Sequence, residues 1–145
     1  MTTQSITARA VNLLSRREHS QAELRTKLLK AEFELQDINS TIEKLTEADI
    51  QSDARFAENY LRYRSQRGYG SQKIRLELKE RGVNTDTINT AFEQAEIDWF
   101  ELVMTVRHKR FGEQVPEDLN DRAKQQRFLQ YRGFTHEQIN ESLNS

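Results

Sequence analysis

Apolar residues recur along this chain three and four positions apart, in short stripes separated by polar breaks, which is the pattern of amphipathic helices. The first stripe covers about 6–17 and puts Ile6, Ala10, Leu13, Leu14 and Arg17 on one face. His19-Ser20 interrupts it. Ser20 and Glu23 then have capping-box spacing, in which the hydroxyl accepts from a free amide and the carboxylate reaches back. Leu24 and Leu28 mark the second helix, and Leu35, Ile38, Ile42 and Leu45 the third.

The pattern then restarts. Asp53 is placed to cap a helix carrying Phe56, Ala57, Tyr60, Tyr63 and Arg64. Gly68-Tyr69-Gly70 breaks it at a corner, and Ser71 is expected to cap a helix with Ile74 and Leu78. Gly82 suits a left-handed helix end, and Asn84 or Thr85 starts a helix with Ile88, Ala91, Phe92 and Ala95. A third cycle opens at Asp98, with Phe100, Val103, Met104 and Phe111 on its first helix. Trp99, opening that stripe, is expected in the core. Residues 112–116 form a loop, 117–132 a helix ending at Gly133, and Thr135 with Gln138 a second capping box before Ile139 and Leu143.

These cycles match one another at an offset of 50 or 51 residues: Leu28, Leu78, Leu129; Phe33, Val83, Phe134; Ile38, Ile88, Ile139; Ile42, Phe92, Leu143. Arg81-Gly82-Val83 and Arg132-Gly133-Phe134 correspond closely, whereas the first cycle has Ala31-Glu32-Phe33, so its helix is expected to end differently. The fold expected is all-α, with three tandem three-helix repeats at 1–50, 51–96 and 97–145 in an elongated, curved arrangement. One proline, five glycines and only 35% hydrophobic residues agree with small helical units that each bury one stripe.

Composition removes several functions. There is no cysteine, hence no disulfide, thiolate metal site or cysteine nucleophile. His19, His108 and His136 fall in separate units without ligand spacing and are expected solvated or capping; no metal and no cofactor are expected. Gly68-Tyr69-Gly70 lacks the Gly-Lys-Ser/Thr ending of a phosphate-cradling loop. Glu93, Glu96, Asp98 and Glu101 read as a solvated helix junction. No acid–base or nucleophile constellation emerges, so an enzyme is not expected. Residues 1–5 are polar and Ile6 to Leu14 is broken by Arg9 and Asn12, so neither a signal sequence nor a membrane span is expected; the expectation is a cytoplasmic monomer.

Charge is nearly balanced, 22 basic against 23 acidic, yet it is segregated. Residues 54–82 hold eight basic and three acidic side chains, whereas 83–101 hold five acidic and none basic. Arg62, Arg64, Arg67, Lys73, Arg75, Lys79 and Arg81 crowd two neighbouring helices, with Tyr60, Tyr63 and Tyr69 among them. Basic residues interleaved with aromatics suit a polyanion or an acidic protein groove. Tyr69 is equally suited to be a contact or a plug beneath the corner.

Asp53-Ala54-Arg55-Phe56-Ala57, then Arg67-Gly68-Tyr69-Gly70, then Lys73-Ile74-Arg75-Leu76-Glu77-Leu78-Lys79-Glu80-Arg81-Gly82, resemble the central signature of the RecX family. Leu14-Ser15-Arg16-Arg17-Glu18-His19-Ser20 and Glu23-Leu24-Arg25-Thr26-Lys27-Leu28 are similar to its first unit, and Ile97-Asp98-Trp99 with Arg127 to Phe134 to its third. Ser71 stands where the family often has proline, and Ser52-Asp53 where it often has an aspartate pair; both still supply a helix start. The resemblance implies a regulator that binds RecA and the RecA filament on single-stranded DNA, inhibits recombinase, ATPase and co-protease activity, and so modulates DNA repair and the SOS response. It also implies a weak direct contact with DNA. Arg25, Lys27, Arg62, Arg64, Arg67, Tyr69, Lys73, Arg75, Lys79 and Arg81 are the candidate contacts. A stand-alone helical DNA-binding protein and a generic helical adaptor remain the competing readings.

Overall fold

The computed structural model describes residues 4–144, and among them every regular element is an α-helix. Repeat one comprises α1 (Ile6–Arg16), α2 (Gln21–Lys30) and α3 (Leu35–Glu47). Repeat two comprises α4 (Asp53–Gln66), α5 (Ser71–Glu80) and α6 (Thr85–Ala95). Repeat three comprises α7 (Trp99–Phe111), α8 (Leu119–Tyr131) and α9 (His136–Leu143). The fold is therefore all-α, with three-helix units in tandem.

Residues pack into two compact units that divide the middle repeat. The chain up to Asn59, together with Leu78–Ala91, makes one; Tyr60–Glu77, with the chain from Phe92 on, makes the other. In the first, Ala10, Leu24, Leu28, Ile38, Ile42 and Leu45 form the packed interior, flanked by Ile6, Leu13, Leu14 and Phe33. In the second, Val103, Val106, Leu129, Phe134, Ile139 and Leu143 do so, flanked by Trp99, Leu102 and Phe128. Trp99 is thus half-buried and stacks on Phe92 with centroids 5.7 Å apart.

Helix starts follow the short polar residues, with two corrections. The Ser20–Glu23 and Thr135–Gln138 capping boxes are both closed, and Asn84 accepts from the Thr87 amide at 2.8 Å. The cap of α4, however, is Ser52, whose hydroxyl accepts from the Arg55 amide (3.1 Å), while Asp53 accepts from the Gln21 amide (2.9 Å) and Gln51 Nε2 (2.8 Å). Asp53 is thereby used to tie helix starts together rather than to cap its own. Ser71 is the first helical residue of α5, not its cap; the Gly70 carbonyl accepts the opening helical bond from Ile74.

Helix ends repeat the same device. Phe33, Val83 and Phe134 donate their amides to Leu28, Leu78 and Leu129 at 3.2, 3.1 and 3.2 Å, closing Schellman-type ends. The left-handed residue is Gly82 (φ 83) in repeat two and Gly133 (φ 98) in repeat three. In repeat one it is Glu32 (φ 70), so that helix ends as the others do, against expectation. What differs is crowding. A Cβ on Gly82 would overlap Ala22, and one on Gly133 would overlap Lys73, whereas Glu32 is exposed. Glycine is required where another helix start presses against the turn; hydrogen bonding alone sets the turn at Glu32.

Three further expectations shift. The buried residues of α4 are Phe56, Ala57, Leu61 and Ser65, and Tyr63 lies exposed, because the stripe runs through every fourth residue rather than through the aromatics. Arg17 lies just past the end of α1, in extended backbone and exposed, instead of on its apolar face. Phe100 is exposed while Val106 and Arg107 are buried on α7.

His19 is not solvated. It is 1% exposed, its Nδ1–H donates to the Arg17 carbonyl (3.0 Å), and its Nε2 accepts from Lys27 Nζ (3.0 Å). Burial pulls its pKa below the ordinary 6.5, aided by the neighbouring charges of Arg17 and Lys27 and opposed by the Arg17 carbonyl and Glu23.

Three outcomes follow. Glu32→Gly should stabilise the chain by about 0.5–1 kcal/mol by relieving a left-handed non-glycine, and Gly133→Ala should cost about 3 kcal/mol, both read by urea unfolding. Because the unfolded chain takes up the His19 proton more readily, its contribution is complete above 6.5 and is lost as pH falls below that value. His19→Gln should therefore flatten the dependence of Tm on pH between about 7 and 5.

Candidate functional site: a basic groove

The end of α4 and the Gly68–Gly70 corner lie, in the second compact unit, beside α7 and the end of α8. Here the start of α5 docks by backbone alone. Gly70 N donates to the Arg132 carbonyl (2.8 Å) and Gln72 N to the Gly133 carbonyl (3.0 Å). A Cβ on Gly70 would collide with the Gly133 backbone, so both glycines are needed for the approach. The first unit contains a counterpart: Ser20 Oγ donates to the Arg81 carbonyl at 2.7 Å, and Gly82 abuts Ala22.

Beside this joint runs a groove of 690 Å³ lined by Arg64, Gln66, Arg67, Gly68, Tyr69, Leu102, Thr105, Val106, Lys109, Arg110, Phe128 and Arg132. Five of these are cationic and none is acidic. Aromatic rings hold the guanidinium groups. Arg64 lies 3.7 Å over Tyr69, Arg67 4.6 Å over Tyr63, and Arg110 5.2 Å over Phe128. Arg132 reaches both Tyr69 (4.9 Å) and Phe128 (5.0 Å), and its Nη1 donates to the Arg67 carbonyl at 3.2 Å. Tyr69 is thus a ring on which cations stack, which accounts for its half-buried position beneath the corner.

Arg64 is fixed from behind. Its Nε and Nη2 both reach the Glu77 carboxylate at 2.9 Å, and Tyr60 donates to the same carboxylate at 3.0 Å. Burial lowers the Arg64 pKa, but the hydrogen bonds and charge of Glu77 outweigh it and hold the guanidinium above its ordinary range.

Of the ten candidate contacts, Arg64, Arg67 and Tyr69 meet in the groove. Lys73 stands next to it, 5.5 Å over Tyr69 and 4.5 Å over Tyr131. Arg62 is exposed on α4 and Arg75 stacks 4.1 Å over Phe92 in the same unit. The remaining four lie in the other unit and do not join them there. Arg25 donates to Asn39 (2.9 Å), Lys27 to His19, Lys79 is exposed, and Arg81 Nε sits 3.9 Å from Glu23.

Sequence reasoning missed Lys109, Arg110 and Arg132 as partners of the corner. The basic last turn of α7 and the Arg132-Gly133 triplet were signals, but only packing brings them to Tyr69. It also missed Arg107, fully buried on α7, whose Nη1 donates to the Gln114 carbonyl (3.1 Å) and to Gln125 (3.5 Å). Burial lowers its pKa. Among the described residues no group of three or more His, Asp or Glu side chains is placed to hold a metal, and no helix is long and apolar enough to cross a membrane.

Comparison with known proteins places this geometry in context. Models of the first, second and third three-helix domains of RecX match residues 8–45, 52–91 and 96–143. The "Regulatory protein RecX" of Pectobacterium atrosepticum is 36% identical over 146 residues, covering 90% of each chain. That of Pseudomonas entomophila is 40% identical over 134 residues, covering 92% of this chain and 86% of the other. The crystal structure of RecX from Lactobacillus salivarius superposes with a TM-score of 0.81 at 23% identity, covering 96% of this chain and 92% of that one, and carries the fold.

Glu77→Ala should cost about 2 kcal/mol by leaving a half-buried guanidinium unpaired, and Arg64→Met combined with Glu77→Leu should recover part of the loss; a denaturation double-mutant cycle reads both.

Proposed function

This chain belongs to the RecX family, and on that premise we propose that it binds the RecA recombinase and its filament on single-stranded DNA, and restrains them. On this reading it lowers strand exchange, ATP hydrolysis and co-protease activity, acts in the cytoplasm as a monomer, and is a binding protein rather than an enzyme. The observation that carries the reading is the groove: five cations with no acidic side chain between them, in a chain of net charge −1. An acid-free basic groove favours a polyanionic surface, such as the acidic face of a protein filament or its DNA backbone.

Contact at several filament subunits raises avidity without strong individual contacts. The repeats, taken to divide at 50 and 96, supply several surfaces for this, and Arg25, Lys27, Lys79 and Arg81 are the candidates outside the groove. Arg62, Lys73 and Arg75 extend the contact beside it.

The same groove chemistry supports a second reading, a helical protein that binds DNA on its own. Strong filter binding of DNA without RecA, falling steeply with salt, favours that alternative.

The test is RecA ATPase on single-stranded DNA, titrated with the protein below one molecule per RecA. The expected result is strong inhibition by the unaltered chain and at least about tenfold weaker inhibition by Arg67→Glu, Lys109→Glu, Arg110→Glu, whose side chains form no ion pair among the described residues. Full inhibition by that folded variant rejects the groove, and no inhibition by either protein rejects the function.

A further inference from the structure

The way the groove's cations are held says more than their number. We propose that the groove is a binding site for a linear chain of phosphates, of the length found in inorganic tripolyphosphate or a nucleoside triphosphate, and that such a soluble chain competes there with the macromolecular partner. The competition rests on the reading above that the groove faces that partner.

Ring stacking uses the flat face of a guanidinium and leaves its N–H edge available in the plane. Arg64, Arg67, Arg110 and Arg132 each place the guanidinium carbon 3.7–5.2 Å from a ring centroid. Arg64 spends two of its nitrogens on Glu77, and Arg132 one on the Arg67 carbonyl. The side chains of Arg67, Lys109 and Arg110 donate to no protein acceptor among the described residues, so their donors remain available to a ligand. Contact with a ring restricts a guanidinium before any ligand arrives, which lowers the ordering cost of binding.

The arrangement selects among anions. Phosphate oxygens accept two parallel N–H bonds from a guanidinium fork, and each phosphate group carries several acceptors at high charge density. The forks come from three places in the chain: the end of α4, the last turn of α7 and the residue that caps the end of α8. A single phosphate satisfies one or two of them, whereas a chain engages several. Side-chain carboxylates on a peptide are spaced more widely and carry one charge each. The groove's 690 Å³ lies within the range of about 300–1,000 Å³ usual for small-molecule sites.

Thermal shift and calorimetry on the full chain test this, with tripolyphosphate, ATP, inorganic phosphate and a polyglutamate peptide as probes at fixed ionic strength. The expected result is that tripolyphosphate and ATP bind at least about tenfold more tightly than phosphate or polyglutamate. Arg67→Gln, Lys109→Gln, Arg110→Gln should lose that binding while keeping the unliganded Tm. Tripolyphosphate should also displace the unaltered chain from the RecA filament. Equal binding by phosphate or polyglutamate, or undiminished binding by the variant, overturns the proposal as general charge screening. RecA inhibition without any tripolyphosphate binding overturns it too, while leaving the regulatory reading in place.

Discussion

A helix start pressed against a helix end, with glycine at the contact, is the constraint on which the rest of this structure depends. In the second unit, Gly70 and Gln72 donate to the Arg132 and Gly133 carbonyls at the end of α8, and any Cβ on Gly70 or Gly133 would force the two backbones apart. In the first unit, Ser20 and Ala22 meet Arg81 and Gly82 in the corresponding way. A chain with little apolar residue to bury gains order from this contact, because it satisfies the unpaired amides and carbonyls that every helix leaves at its ends. Arg132 links the joint to the candidate site: its carbonyl holds Gly70 while its side chain stacks on Tyr69.

The groove shows how a chain near neutrality concentrates one sign of charge. Acidic residues are not absent, and several, outside the groove's lining, are paired with cations. Glu77 is bound to Arg64 and Tyr60, Glu18 and Asp49 to Arg55, and Glu23 to Arg17. Exposed pairs such as Arg17–Glu23 contribute little stability, about 0–1 kcal/mol each, whereas every charged side chain lining the groove is a cation.

Much of the fold was legible because its determinants are local. Two complete capping boxes and the Arg-Gly ends are read from neighbouring letters, the repeat from matches 50 or 51 residues apart, and each is realised in the helices. The misses share a physical origin in tertiary contact. Nothing local distinguishes Leu61 from Tyr63 as the buried member of α4, or marks Arg107 for complete burial. Glu32 hides a left-handed turn because the letter that usually signals it is needed only where another helix crowds in. For the site, the corner around Tyr69 was visible as basic residues mixed with aromatics. Its other wall, Lys109, Arg110 and Arg132, lies 40 or more positions further along the chain and arrives only through packing.

The central claim is that this groove, rather than basic charge in general, engages the nucleoprotein filament. Equilibrium binding to RecA filaments on single-stranded DNA, measured across a range of salt for two matched charge-reversal variants, addresses it most directly. One variant alters Arg67, Lys109 and Arg110; the other alters Arg9, Lys30 and Lys44, which are exposed and do not line the groove. The account predicts a large loss of affinity and a shallower salt dependence for the first, and a much smaller change for the second. Equal losses from the two would contradict it.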